Sequence, residues 1–300
     1  MAYTSYKRGQ RELHTRGENM SFIKNILEFI GKYFKSLLFL LILYLVFVPT
    51  KSVELQHPNL LKITLSGAIF DDKEFLEKIE EAKKSNIKGV LLEVNSPGGA
   101  VAPSVEMSLA IKRLKKQKPV IAYAKGIMAS GSYYASIWAD KIIANPGSMI
   151  GSIGVIFESP NIEGLSQKLG IKEQIVKAGK YKQVGTPTRE WKPYEKAELN
   201  KVIQNTYKMF VKDVCNARGL DINKNSEFAD AHIFTARGAK KVGLVDDIGS
   251  IYDAKELLYK LANIKNPVWK KEDKFDKFLD KFISKLSFSI YSNLYGLKAW

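Results

Sequence analysis

Apolar and polar residues alternate along the middle of the chain with two periods, one typical of strands and one of amphipathic helices. Short apolar runs such as GVLLEV predict strands over 61–69, 89–94, 120–123, 141–144, 149–156, 174–176 and 244–248. Apolar residues that recur every three or four positions predict helices over 71–84, 102–115, 129–139, 194–217 and 251–262. Because predicted strands and helices alternate along the chain, the pattern predicts one layered α/β domain within residues 51–265.

An uncharged apolar run, SLLFLLILYLVFV, occupies residues 36–48. It is shorter than the roughly 20 residues of a straight membrane-spanning helix. Tyr33 and Phe34 extend the apolar character towards the N-terminus. Lys32 and Lys35 can place their ammonium groups at the membrane surface while their aliphatic stems stay in the apolar layer. Basic residues precede the run, which keeps the N-terminus in the cytoplasm. We therefore predict a cytoplasmic basic tail over 1–32, a single-pass transmembrane anchor over 33–50 and an extracytoplasmic (periplasmic) domain at a bacterial-type inner (cell) membrane. A cleaved signal peptide is the alternative.

Residues 266–300 carry a second amphipathic pattern. Its apolar positions have helical spacing and are Phe275, Phe278, Leu279, Phe282, Ile283, Leu286 and Ile290, with lysines at 274, 277, 281 and 285 beside them. Two interpretations stay open. The stripe packs on the protein's own body or on another subunit, or the basic helix lies on an anionic membrane surface.

Composition excludes several classes of protein. The chain has 300 residues, a net charge of +16 and 45% hydrophobic residues, so it can build a core. One cysteine, Cys215, and three histidines give neither a disulfide framework nor a metal site. The spread of the charge and the absence of nucleic-acid-binding motifs argue against nucleic acid as a partner. Because no Walker or GxGxxG loop occurs, we expect no cofactor.

Three turns rich in glycine and serine follow predicted strands. They are NSPGG at 95–99, ASGS at 129–132 and GSMIGSIG at 147–154. Sites in α/β sheets form at the carboxyl ends of strands, where glycines leave backbone N–H groups free to face an oxygen. Two such turns could form an oxyanion hole around a serine. The simpler alternative is that these residues only make turns.

Such a serine needs a base. His14 lies in the basic tail and His57 lies next to the predicted anchor, which leaves His232, and an isolated histidine is more often a surface or packing residue. A lysine acts as a base when burial lowers its pKa from about 10.4 towards about 7–8. Lys180 and Lys182 lie between Glu173 and Glu190 in a stretch without acidic residues. Their spacing puts both on one side of an extended segment, so it does not choose between them.

These motifs, in this order, resemble the signal peptide peptidase A family, which consists of membrane-anchored Ser-Lys proteases of the S49 type. The resemblance covers about residues 55–262 and rests on NSPGG, MASGSYY at 128–134, GSIGV at 151–155, GKYK at 179–182 and GLVDDIG at 243–249. It implies an α/β fold of the crotonase/Clp-protease kind, built from repeated ββα layers. It also implies assembly into a homo-oligomer.

By position, Ser130 resembles the family's nucleophile and Lys182 its general base. Ser152 resembles the serine that orients this lysine, and the backbone N–H groups of Gly99 and Gly131 resemble the oxyanion hole. Two departures stand out. Ser132 replaces a common glycine, which we expect to narrow the pocket, and Ala231-His232 replaces a Gly-Arg pair.

The resemblance implies a membrane-anchored serine endopeptidase that hydrolyses peptide substrates, namely remnant signal peptides, at the lipid bilayer. Three alternatives remain open. They are a Ser-Lys protease acting on membrane-associated stomatin-like proteins, a crotonase-like acyl-CoA enzyme, and a non-catalytic membrane scaffold with a degenerate site.

Overall fold

A computed structural model describes residues 28–36, 38–40, 43 and 57–271. The chain divides into two compact units, Met1–Gln56 and His57–Trp300. In the first, residues 28–36 and 38–40 are helical. Among the described residues, no helix combines the length and the apolar character that crossing a bilayer requires. Much of the predicted anchor at 33–50 and most of the C-terminal segment at 266–300 lie outside the described residues, so both stay predictions.

The second unit is built on one sheet. Over residues 57–271 its strands are β1 (Leu60–Ile69), β2 (Gly89–Gly99), β3 (Val120–Ala129), β4 (Lys141–Ala144), β5 (Met149–Gly151), β6 (Ile233–Thr235) and β7 (Asp247–Ile248). The helices are α1 (Lys73–Ala82), α2 (Val101–Leu114), α3 (Gly131–Ser136), α4 (Glu163–Lys168), α5 (Pro193–Arg218), α6 (Asn225–Phe228), α7 (Ala236–Lys241) and α8 (Ile251–Leu261), with a 3₁₀ turn at Ile222–Lys224.

The sheet is mostly parallel. Its main order is β1-β2-β3-β4-β7, with each neighbouring pair parallel. β5 pairs in parallel with the end of β3, and β6 pairs antiparallel with β5. The layered α/β prediction is therefore confirmed.

Side chains on both faces of the sheet are buried, as the uninterrupted apolar run of β2 predicts. Val90, Leu92 and Val94 point into the larger core, whereas Leu91 packs in a smaller core under α8. Each fully buried Leu or Val stabilises the fold by about 1.5–3 kcal/mol. This double burial fixes the central strands and therefore the loops at their carboxyl ends.

Strand lengths differ from the sequence predictions in ways that matter for the site. β2 continues to Gly99 and β3 to Ala129. The first half of β3 pairs with β4, and its last three residues pair with β5 instead. The predicted strand at 149–156 ends at Gly151. The prediction of a strand at 174–176 is wrong, because these residues are exposed and have no neighbouring strand to pair with.

Candidate active site

The turn between β3 and α3 holds Ser130 in a strained backbone conformation. Its φ of 52° lies in the left-handed region, where the β-carbon of a non-glycine residue is crowded. The Ser130 N–H donates to the Gly151 carbonyl at 2.8 Å, and the Tyr134 N–H donates to the Ser130 carbonyl at 2.9 Å. Two neighbouring elements therefore hold Ser130 at the carboxyl end of a central strand.

The hydroxyl of Ser132 ties the same turn to the end of β2. It accepts from the Ala129 N–H at 2.9 Å and donates to the Ser96 carbonyl at 2.6 Å. The side chain is fully buried. Ser132 is not among the described residues that line the cavity beside Ser130. The expectation that it narrows the pocket is therefore wrong, and its role is to join two loops.

Glycine is required where β2, α3 and β1 approach one another. A β-carbon on Gly131 would lie 2.2 Å from Ser104 Oγ and 3.3 Å from the Gly99 nitrogen. One on Gly98, at φ 93°, would lie 2.5 Å from the Gly131 nitrogen. The backbone nitrogens of the two loops are therefore neighbours. As the first residue of α3, Gly131 has an N–H without a partner inside its helix, the arrangement that an oxyanion hole needs.

Ser130, Gly99 and Gly131 line one small cavity of about 30 Å³. Its other walls come from α2, α3, α5 and the chain after β5, and they are Val101, Ser104, Tyr134, Gly154, Val155, Thr206, Met209 and Phe210. The contributions of α5 were not predicted. Thr206, Met209 and Phe210 have the spacing of one helix face, but the sequence does not say what that face meets.

Tyr134 forms a fixed wall of this cavity. Its hydroxyl donates to Asp213 Oδ2 at 2.5 Å, and its ring packs on Phe210 with centroids 4.5 Å apart. Burial, with the Asp213 hydrogen bond, raises the pKa of the Tyr134 hydroxyl above its ordinary range. The hydroxyl thus stays protonated and keeps α3 joined to α5.

Ser152 lies directly after the residue that Ser130 contacts. Its φ is 50°, and its N–H donates to the His232 carbonyl at 2.7 Å. His232 contributes that carbonyl, while its side chain is exposed and its ring faces Phe234. The loop at Ala231-His232, whose role the sequence leaves undefined, thus supports the Ser152 turn through its backbone.

Lys182 lies in a different part of the molecule. It is exposed, and it lines a surface hollow with Glu173 and Lys177 rather than the cavity of Ser130. The turn around it is closed by local bonds, such as the Lys182 N–H donating to the Gly179 carbonyl at 3.3 Å. The expectation that this lysine is buried is therefore not met within the chain, because residues 171–181 are all exposed.

The two candidate lysines have different surroundings, which the sequence does not reveal. Lys180 Nζ lies 4.9 Å from the centre of the Tyr194 ring and 5.5 Å from that of Tyr181. Aromatic faces favour the charged ammonium, so this position suits a cation more than a base. Lys182 has no such ring contact among the described residues.

An ion pair fastens the end of this segment to α5. Arg189 donates through both terminal nitrogens to Glu195 at 2.8 Å each, and the Lys192 N–H donates to Glu195 Oε2 at 2.8 Å. The side chain of Glu195 is fully buried. The hydrogen bond from Arg189 holds the pKa of Glu195 at about 2. The segment is thus fixed at its exit, while the turn with Lys182 stays on the surface.

Within the residues that the structure describes, no group of three or more His, Cys, Asp or Glu side chains is placed to hold a metal ion. The structure brings together Ser130, Gly99 and Gly131 in one cavity, with Ser152 in the adjoining turn. It does not bring Lys182 to that cavity.

Comparison with known proteins identifies the family. The sequence profile of peptidase family S49 matches residues 112–265, about half of the chain. The chain belongs to peptidase family S49. A putative protease of Methanocaldococcus jannaschii is 44% identical over 198 residues, which cover 66% of this chain and 64% of the relative. A putative signal peptide peptidase SppA of Enterococcus faecium is 42% identical over 226 residues, covering 68% of this chain and 64% of that relative.

The matched part of this S49 peptidase therefore spans just under two thirds of those relatives. A solved membrane-bound stomatin-specific protease, a mutant in complex with a substrate peptide, has the same fold at a TM-score of 0.50 and 18% identity, covering 75% of this chain and 98% of that one.

Proposed function

We propose that this S49 peptidase is a membrane-anchored serine endopeptidase that uses Ser130 and Lys182 as its catalytic dyad. The observation that carries the proposal is the strained Ser130 turn, which lies in one cavity with the Gly99 and Gly131 backbone. A serine held at the end of a strand beside backbone N–H donors is suited to acyl transfer.

The reaction begins when Ser130 Oγ attacks the carbonyl carbon of a peptide bond. Neutral Lys182 accepts the hydroxyl proton and passes it to the departing amine, while the Gly99 and Gly131 N–H groups stabilise the oxyanion. Ser152 orients the lysine amine. Water then hydrolyses the acyl-enzyme and regenerates Ser130.

This mechanism requires that Lys182 be covered and brought to Ser130. Residues 156–176 of its segment carry exposed apolar side chains, including Ile156, Leu165, Leu169 and Val176. Apolar surface of this kind supports contact with another protein surface. The predicted homo-oligomer supplies one, because a second copy of the chain would bury this segment together with its lysine.

Remnant signal peptides are the proposed substrates, since a relative carries the name signal peptide peptidase and the predicted anchor would hold the enzyme at the inner membrane. The cavity beside Ser130 has room for a side chain of only a few atoms, because about 30 Å³ corresponds to roughly two water molecules. We therefore expect cleavage after small residues.

The test compares Ser130→Ala, Lys182→Met and Lys180→Met in peptide hydrolysis, with thermal unfolding as the check on folding. The first two variants should lose at least about 10⁴-fold in kcat, and Lys180→Met should stay near wild type. A serine-reactive phosphonate should modify Ser130, and mass spectrometry should locate the modification there. The Ser130→Ala variant should remain unmodified. If Lys182→Met stays active and Lys180→Met loses activity, the general base is Lys180 and not Lys182. Modification of another residue instead of Ser130 would show that Ser130 is not the nucleophile.

Substrate class is tested separately. Wild-type protein in its membrane is offered a signal peptide and a stomatin-like segment of equal length. Faster cleavage of the signal peptide supports the proposal, and preference for the other segment favours the substrate named for the solved neighbour.

A further inference from the structure

A groove lies between the free side of β1 and helix α1, away from the cavity of Ser130. It has a volume of about 240 Å³ and an apolar floor that includes Ile63, Leu65, Ile69 and Phe75. Its rim is charged, with Asp71 and Glu74 at one end and Lys62 and Lys78 nearer the other. β1 is an edge strand of the main sheet, so only one of its two hydrogen-bonding edges pairs with β2.

The described chain ends beside the start of β1 and the end of α1. Trp269 pairs with Leu60 as a parallel bridge, and the Lys270 N–H donates to the Leu60 carbonyl at 2.8 Å. Lys270 also forms an ion pair with Glu81 on α1. Since the bridge is parallel, Trp269 and Lys270 run in the same direction as β1, and the side chain of Lys270 reaches α1.

A helix formed by residues 275–290 would be similar in length to β1. Nine steps of about 3.3 Å separate Leu60 from Ile69, about 30 Å. A helix over 275–290 would be about 24 Å long. Its apolar stripe, from Phe275 to Ile290, would face a floor of similar length.

The charges match as well. The acidic residues of 272–300 are Glu272, Asp273, Asp276 and Asp280, with Lys274 and Lys277 among them, so this first part is net acidic, and Lys281 and Lys285 follow it. A segment that enters beside Leu60 passes Lys62, whose Nζ lies 3.9 Å from Glu93 Oε2, and Lys78 before it reaches Asp71 and Glu74. The net-acidic start of the segment would thus lie near Lys62 and Lys78, and Lys281 and Lys285 would lie near Asp71 and Glu74.

We propose that residues 272–290 dock in the groove between β1 and α1 of their own chain. Docking would cover the free edge of β1, which is otherwise a template for unwanted strand pairing. It would also brace Ile69, which pairs with Gly99 and whose carbonyl accepts from the Ala100 N–H at 2.8 Å. Of the two interpretations of the amphipathic stripe, the groove favours packing on the protein's own body.

The first experiment maps the neighbour of the groove directly. Glu74→Cys is made in a Cys215→Ala background of the full chain, labelled with benzophenone maleimide and irradiated. Adducts within residues 272–290 of the same chain are expected, and mass spectrometry locates them. Adducts that fall only elsewhere, or that join two copies of the chain, would overturn the proposal.

The second experiment tests protection with matched variants. Maleimide labelling rates are measured at Glu74→Cys in the groove and at Glu80→Cys on the other side of α1. Each is combined with Leu279→Lys, in the apolar stripe, or with Ser284→Lys, on the opposite face of the same helix. Leu279→Lys should speed labelling at position 74 about tenfold, the effect of losing about 1.4 kcal/mol of docking free energy. Ser284→Lys should change neither position, and position 80 should stay constant.

Equal rates at position 74 in all three backgrounds would overturn the proposal. Binding to anionic lipid vesicles, measured in parallel, identifies the other interpretation. If Leu279→Lys abolishes vesicle binding but leaves position 74 unchanged, the stripe faces the membrane. None of these readouts depends on peptidase activity.

Discussion

The two halves of the proposed dyad lie in regions built in different ways. The Ser130 turn is held by buried contacts from β2, β5 and α2, whereas the Lys182 turn is held by bonds to its own neighbours and is exposed. The proposed nucleophile and the proposed oxyanion hole therefore lie together within one chain. Under the proposed mechanism Lys182 would act as the base only when its segment is covered, so assembly would control activity without changing the serine site.

Among substitutions outside the proposed dyad, the largest effect on activity is expected at Gly131, in the loops around Ser130. Gly131→Ala places a β-carbon 2.2 Å from Ser104 Oγ and 3.3 Å from the Gly99 nitrogen, which pushes apart the two N–H donors. We expect kcat to fall by about 10²–10³, the usual cost of losing an oxyanion-hole donor. Steady-state hydrolysis of a peptide measures it.

A double variant shows whether the clash is the cause. Ser104→Ala removes the hydroxyl that the new methyl group meets, so Gly131→Ala with Ser104→Ala should regain part of the lost kcat. If the double variant is no better than Gly131→Ala alone, crowding by Ser104 is not the explanation.

Ser132→Ala tests the joint between the two serine-side loops. It leaves the buried Ala129 N–H and Ser96 carbonyl without their hydroxyl partner. The free energy of unfolding should fall by about 1–3 kcal/mol, measured by urea denaturation. Ser130→Ala is the control, since its hydroxyl has no such structural bonds among the described residues, and its stability should stay close to wild type. Equal stability of Ser132→Ala and wild type would contradict the role assigned here.

Some features of the two regions can be predicted from the sequence and others cannot. The strands around Ser130 are predictable because their side chains are buried on both faces, and glycine spacing marks the loops. Ser132 is a harder case, because a serine that bonds two loops looks the same in sequence as one that narrows a pocket. The exposure of Lys182 was not predictable either. A stretch without acidic residues resembles a buried site, but burial depends on what packs against it.

Cavity size is tested at Met209, which lines the cavity and is 38% exposed, so that truncation costs little folding energy. Met209→Ala should raise kcat/KM for a peptide with leucine before the scissile bond about tenfold relative to one with alanine. Val202→Ala, an exposed position on the same helix outside the cavity, should leave the ratio unchanged. A constant ratio in Met209→Ala would mean that this cavity does not receive the substrate side chain.

The smallest effect concerns the anchor of the Lys182 segment. Because the pKa of Glu195 is about 2 in the folded chain and 4.5 ordinarily, its ionised pair with Arg189 stabilises the fold fully above pH 4.5. That contribution is lost as the pH falls towards 2. The unfolding temperature of wild type should therefore drop more steeply between pH 4.5 and 2.5 than that of Glu195→Gln. Glu198→Gln, on the same helix, should follow wild type. Parallel curves of unfolding temperature against pH for wild type and Glu195→Gln would mean that the pair of Glu195 with Arg189 does not anchor the segment. The difference between the Ser130 turn and the Lys182 segment would then have another physical basis.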